Sequence, residues 1–183
     1  MKRFLYLFAW VAIGLLAACS SSKKDKANDL QVLTQDSLDA KGPQRMQVSD
    51  IKTPIDYRGK KYVSVVKRQP DESLPLVVNE QGEKFGDNRI RLRLTCGERT
   101  VLDKEFTKET FASLVDAKFL KNSILEGLVF DQTTSQGFIY AASVCYPQTD
   151  LYIPLRITVT PDGKVSMVQE ELLEDLYQDE DAQ

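Results

Sequence analysis

The sequence predicts a mainly β fold, a β-dominated α+β domain built as an antiparallel β-sandwich or partly open barrel of about eight or nine strands with one short helix. Three observations lead there. Between Met46 and Glu171 apolar residues recur with period two, and turn residues separate the runs. Only the stretch after Thr107 has helical spacing. The strand–helix–strand alternation that a parallel sheet requires is missing.

In chain order, Tyr57-Arg58-Gly59-Lys60 reads as a turn feeding a strand from Lys61 to Arg68. A short strand over Leu74 to Val78 follows, closed by Asn79-Glu80-Gln81-Gly82. Ile90, Leu92 and Leu94 alternate with Arg89, Arg91 and Arg93, and Cys96-Gly97-Glu98 turns the chain into Arg99 to Phe106, which makes a hairpin. Thr107 is a candidate N-cap, and Phe111, Leu114 and Val115 fall on one face of a helix. Gly127 to Phe130 and Phe138 to Tyr146 flank a polar loop with Thr133, Thr134, Ser135 and Gly137. The clearest strand alternates Leu151, Ile153, Leu155, Ile157 and Val159 with polar residues, then turns at Pro161-Asp162-Gly163 into Lys164 to Gln169.

The chain ends carry a different kind of signal. Lys2 and Arg3 precede an apolar run from Phe4 to Leu16, and Ala17-Ala18-Cys19 follow. A basic start, an apolar stretch too short for a comfortable membrane span and small residues before the cut read as a secretory signal peptide over residues 1–18. Leu16-Ala17-Ala18-Cys19 resembles a bacterial lipobox, which makes Cys19 the lipidated N-terminus of the mature chain. The expected organisation is therefore signal peptide 1–18, lipidated N-terminus and polar tether 19–45, globular domain 46–171 and acidic tail 172–183. The residue after Cys19 is Ser20 and not Asp, which by resemblance to enterobacterial lipoprotein sorting implies the outer membrane of the cell envelope over the inner.

Composition narrows the function. The 183 residues include 24 Lys plus Arg, 27 Asp plus Glu and no histidine, so imidazole bases and histidine metal ligands are excluded. Removing Lys2 and Arg3 leaves 22 bases against 27 acids, a balance that argues against nucleic acid. No cofactor motif or metal-ligand spacing is read. Cys96 and Cys145 remain after lipidation, as a disulfide or as two free thiols. The stripe Arg89, Arg91, Arg93 has the geometry to grip an anion, unless Asp71, Glu72, Asp103 or Glu105 neutralise it. Asp87, Glu126 and Asp131 are the acids nearest to apolar segments and the candidates for carboxylate chemistry. Tyr57, Tyr62, Tyr140, Tyr146 and Tyr152 are candidates for lining a groove, and the Pro-bracketed loop from Gln69 to Pro75 for docking in a partner's cleft.

Tyr57-Arg58-Gly59-Lys60-Lys61-Tyr62, Arg68-Gln69-Pro70-Asp71-Glu72-Ser73-Leu74-Pro75, Asp87-Asn88, Phe106-Thr107-Lys108 and Leu125-Glu126-Gly127-Leu128-Val129-Phe130 resemble an uncharacterised lipoprotein domain family of Gram-negative envelopes, one of the domains of unknown function. The resemblance covers roughly residues 46 to 170 and implies location and fold class, with no catalytic residue to carry over. The functional expectation is a membrane-anchored, non-catalytic binding or assembly module with an envelope protein or glycan as partner. The alternative is a carboxylate-dependent hydrolase acting on glycan or peptide.

Overall fold

The computed structural model describes residues 42–170; Cys19, the signal segment, most of the tether and the acidic tail lie outside them. Eight strands form two antiparallel sheets, so the fold is a sandwich and not a barrel. The first sheet has the order β1-β2-β5-β6 and the second β10-β9-β8-β7. The strands of the first are β1 Ser49–Tyr57, β2 Lys60–Pro70, β5 Asn88–Cys96 and β6 Arg99–Phe106, with the two-residue strands β3 Val77–Val78 and β4 Lys84–Phe85 inserted as a separate hairpin. The second comprises β7 Ile124–Thr134, β8 Gly137–Cys145, β9 Tyr152–Val159 and β10 Val165–Gln169. Each sheet is a continuous piece of chain. The link between them is the single crossing from Thr107 to Ser123.

Period two explains the layering directly. Ile90, Leu92 and Leu94 of β5 are fully buried, as are Leu155, Ile157 and Val159 of β9, while the intervening residues face outward. Between the sheets Tyr57 and Tyr62 pack on Phe138, with ring centroids 5.0 and 4.7 Å apart, and the buried Tyr140 hydroxyl donates to Ser64 Oγ at 3.0 Å. Burial holds the Tyr140 phenol at about 12, so it stays protonated and keeps donating. β1 is an edge strand and tolerates Pro54 for that reason.

The helical segment differs from the expectation. Instead of one helix from Thr107 through Val115, a 3-10 turn spans Lys108–Phe111 and a separate helix, α1, spans Ala117–Lys121. Thr110 Oγ1 accepts from the Thr107 amide and closes the first turn locally. Asp116 then starts afresh, because its Oδ1 accepts from the amides of Lys118 and Phe119 at 2.9 and 3.0 Å. An N-cap at the end of the apolar pattern breaks one helix into two pieces.

The two ends of the sandwich are unlike. At one end lie the four tight hairpin turns, tied across the sheets by Tyr57 and Arg58, which donate to the Ser135 carbonyl, and by Arg99, which donates to the Pro161 carbonyl. Arg58 and Gly59 both have positive φ, 50° and 72°, as a two-residue turn matched to strand twist requires. The other end gathers the β3–β4 hairpin, the crossing with α1, the β8–β9 connection and the entering chain. There Gln44 fixes three segments together: its amide donates to Lys84 O, its carbonyl accepts from Gly86, and its side-chain oxygen accepts from Gln148. Among the described residues no helix is long and apolar enough to cross a membrane.

Gly137 opens β8 with φ 144°, and a Cβ there would sit 2.3 Å from the Val159 carbonyl oxygen of the neighbouring strand. Gly137→Ala therefore combines backbone strain with a collision against the ladder and is expected to cost about 3 kcal/mol or more, read as a fall in the urea unfolding midpoint. A variant as stable as the parent would contradict this packing of β8 against β9.

Candidate functional site

The site is built at the end of the sandwich where the chain crosses between sheets. β5 begins at Asn88, and Asp87 immediately precedes it; both are buried. Asp87 Oδ1 accepts from the Asn88 amide at 2.7 Å and, across the sandwich, from the Leu125 amide of β7 at 2.8 Å. Asn88 Nδ2 returns a hydrogen bond to the Leu125 carbonyl at 2.9 Å. Lys108, from the crossing, lies 3.6 Å from Asp87 Oδ2 and donates to the Ser123 carbonyl at 2.7 Å. Burial pushes the Asp87 carboxyl up, against the pull of the two amides and the Lys108 ammonium. One buried ion pair thus pins β5, β7 and the crossing to each other.

The next residue along β7 is Glu126, and it sits on a β-bulge: the register slips between Leu125 and Gly127, so Glu126 is the extra residue. A bulge re-aims the side chain it carries. Glu126 Oε2 accepts from Ser143 Oγ of β8 at 2.9 Å, and its backbone carbonyl accepts from Arg68 at 2.8 Å. Glu126 and Ser143 open onto a shallow depression of about 260 Å³ that Cys145, Thr149, Asp150 and Tyr152 complete. Burial first, then the Glu126 carboxylate, push the Cys145 thiol up to about 12, so it is neither a nucleophile nor a ready metal ligand at neutral pH. The depression offers two carboxylates, three hydroxyls and, on Tyr152, one aromatic face, a lining suited to hydrogen bonding a polar ligand.

The other candidates are dispersed. Cys96 and Cys145 are both free thiols, which removes the disulfide left open by the sequence. Cys96 lies opposite Tyr62 in the ladder, and the Tyr62 ring meets Phe138 at the start of β8, whereas Cys145 ends β8. About 23 Å of strand separates those positions, far beyond bridging distance.

The arginine stripe faces solvent but is neutralised. Arg91 makes a two-pronged contact with Asp103 at 2.6 and 2.7 Å, and Arg89 reaches Asp71 at 2.6 Å and Glu105 at 3.2 Å. Arg93 lies opposite Asp103 in the ladder. Asp131 is exposed on a second bulge of β7, between Phe130 and Gln132, five residues from Glu126.

Tyr57, Tyr62 and Tyr140 belong to the core, and Tyr146 stacks on Phe119 at 4.4 Å, so of the five tyrosines Tyr152 alone lines the depression. The loop from Gln69 to Pro75 is fastened: Asp71 Oδ1 accepts from Ser73 N and Oγ, and the Asp71 amide donates to the Asp87 carbonyl. Asp150 and Ser143 are not marked by anything local in the sequence, since the depression depends on the Glu126 bulge.

Two outcomes test this geometry. Lys108→Met leaves the Asp87 carboxylate buried without its counter-charge and is expected to cost about 3–5 kcal/mol, with Asp87→Asn added to it recovering part of the loss in denaturant titrations. Asp71 is held at about 2 by hydrogen bonds from Ser73 and then by Arg89. Because that folded value is depressed, its contribution to stability is present above the unfolded carboxylate value of about 3.9 and is lost as pH falls toward 2. A carboxyl NMR titration should find Asp71 near that value, and Ser73→Ala and Arg89→Ala should each raise it.

A search of curated proteins finds no match to the chain. The pattern of the domain of unknown function DUF4738 matches residues 28–167, reaching back into the segment read as tether and covering both sheets and the depression. With most of its length matched, the chain belongs to the DUF4738 family.

Proposed function

We propose that the protein is a lipoprotein of the bacterial cell envelope, anchored at the outer membrane through acyl chains on Cys19, whose sandwich serves as a non-catalytic binding or assembly module. The placement of the carboxylates carries the second half of this reading. Asp87 is sealed in the interior and saturated by two amides and Lys108. Asp131 is exposed half a strand away from Glu126. The three acids therefore do not converge on one substrate, as two-carboxylate hydrolysis demands. The anchoring half rests on Lys2-Arg3, the apolar run to Leu16 and Ala17-Ala18-Cys19, and the choice of membrane on Ser20. An anchor of several acyl chains concentrates the module at a surface, where an envelope protein or glycan is met at high effective concentration.

A hydrolase acting on glycan or peptide is the second reading, and one observation favours it: Glu126 and Asp150 line the same depression. Glycan or peptide turnover that Glu126→Gln abolishes would establish that reading over the first.

The anchoring claim is checked by detergent-phase partition and mass spectrometry of the protein expressed with its signal. The parent should enter the detergent phase with an acylated N-terminal Cys19, and Cys19→Ala should remain in the aqueous phase. An uncleaved or unacylated parent would end the lipoprotein reading. Native pulldown from intact envelopes, compared between the two forms, then identifies a partner that depends on the anchor.

A further inference from the structure

Large apolar side chains are exposed unevenly over the sandwich. Eight are exposed among the described residues, and five of them, Val48, Leu76, Val78, Leu151 and Tyr152, belong to three segments at the crossing end, at 44 to 61% exposure. Those segments are neighbours by direct contact. Gln44 joins the entering chain to β4 through Lys84 and Gly86, and to the β8–β9 connection through Gln148. Beneath them Met46, Val77, Phe85, Ile124 and Cys145 form a second small core that holds the β3–β4 hairpin in place. The exposed residues are thus carried on a fixed platform. At the hairpin end the turns present Arg58, Gly97, Glu98, Ser135, Gln136 and Asp162, which are polar or small.

The chain itself indicates what this platform meets. It enters the fold at Gln44, in the middle of the platform, 25 residues after Cys19. Twenty-five residues reach at most about 85 Å even when fully extended, so an anchor on Cys19 keeps the entry point within that distance of the membrane surface.

We propose that the platform of Val48, Leu76, Val78, Leu151 and Tyr152 is a membrane-contacting surface that settles into the headgroup boundary of the bilayer carrying the Cys19 anchor. This inference rests on the lipoprotein reading and adds an orientation to it. The crossing end faces lipid and the hairpin end points away. The contact is apolar and not electrostatic, because Arg45 and Lys84 share that end with Glu72 and Asp150. Tyr152 suits such a boundary, with an apolar ring and a polar tip.

The mature chain has no tryptophan, since Trp10 lies in the signal segment, so single reporters can be placed freely. The full-length lipidated protein would be reconstituted in zwitterionic phosphatidylcholine vesicles with brominated acyl chains, carrying Leu151→Trp, Val78→Trp or, at the hairpin end, Gln136→Trp. All three positions are exposed, and circular dichroism verifies the fold of each. The expectation is that emission from positions 151 and 78 falls about twofold or more, that position 136 is unaffected, and that high salt leaves the pattern unchanged. Protein that floats with the vesicles yet shows no quenching at 151 and 78, or equal quenching at all three, overturns the surface while leaving the anchor intact. Protein that does not float overturns the lipoprotein reading and this inference with it. Shielding of the reporter at position 151 only on adding envelope proteins assigns the platform to a protein partner, which also overturns it.

Discussion

The Asp87–Lys108 pair holds the one place where the chain passes from the first sheet to the second. Removing two charges from water is costly, and their attraction offsets that cost only when the remaining valences are filled. Here they are: Asp87 takes the amides of Asn88 and Leu125, and Lys108 donates a hydrogen bond to the Ser123 carbonyl. Such a set of partners admits one register of β5 against β7. A hydrophobic substitute would pack but would not say which residue of β7 faces Asp87. The consequence reaches the site, because Leu125 precedes the bulged Glu126, and the depression exists only if that bulge falls opposite Ser143.

The outer faces of the two sheets answer the solvent differently. On the first, Asp50, Lys67, Arg91 and Glu105 lie in one row across the four strands, and Lys52, Val65, Arg93 and Asp103 in the next. In the first of these rows the positive centre is flanked by an acid on each edge, so the stripe that looked like an anion grip is internally compensated. Exposed ion pairs of this kind add little stability, about a few tenths of a kcal/mol each. They keep the face wetted and its edges unattractive to other strands. On the outer face of the second sheet Gly127, Ser143 and Pro154 lie in one row, and those small side chains leave room for a depression beside Glu126.

What could be read from the sequence follows the range of the physics involved. Strand alternation and turn chemistry are local, so the hairpins around Gly97, Gly137 and Gly163 were legible, as was the β-dominated class. β1 was not read, although Ile51, Thr53, Ile55 and Tyr57 alternate with Asp50, Lys52, Pro54 and Asp56, because the mid-strand Pro54 argues against a strand anywhere but at an edge. The helix was displaced because Asp116 competes with Thr107 for the role of cap, and spacing alone does not rank two caps. Long-range relations were not legible. Nothing near Asp87 in sequence announces Lys108 or Leu125, two cysteines give no sign of lying at opposite ends, and a bulge at Glu126 is a property of two strands together.

The asymmetry between the ends is the feature on which the proposed membrane contact rests. Four hairpins put their tight turns at one end, and short turns rich in Gly or charged residues leave no room for apolar side chains. The longer connections must go to the opposite end, where they need a small core of their own, and Val77, Phe85 and Ile124 supply it. Connections long enough to fold over such a core also expose apolar residues at their tips. Because β1 starts at that end and β10 finishes near it, both exits of the chain fall there as well. Topology alone therefore brings the entry of the chain at Gln44, the exposed apolar tips and the depression to a single end, so under the proposed anchoring a ligand entering the depression would be met within reach of the membrane.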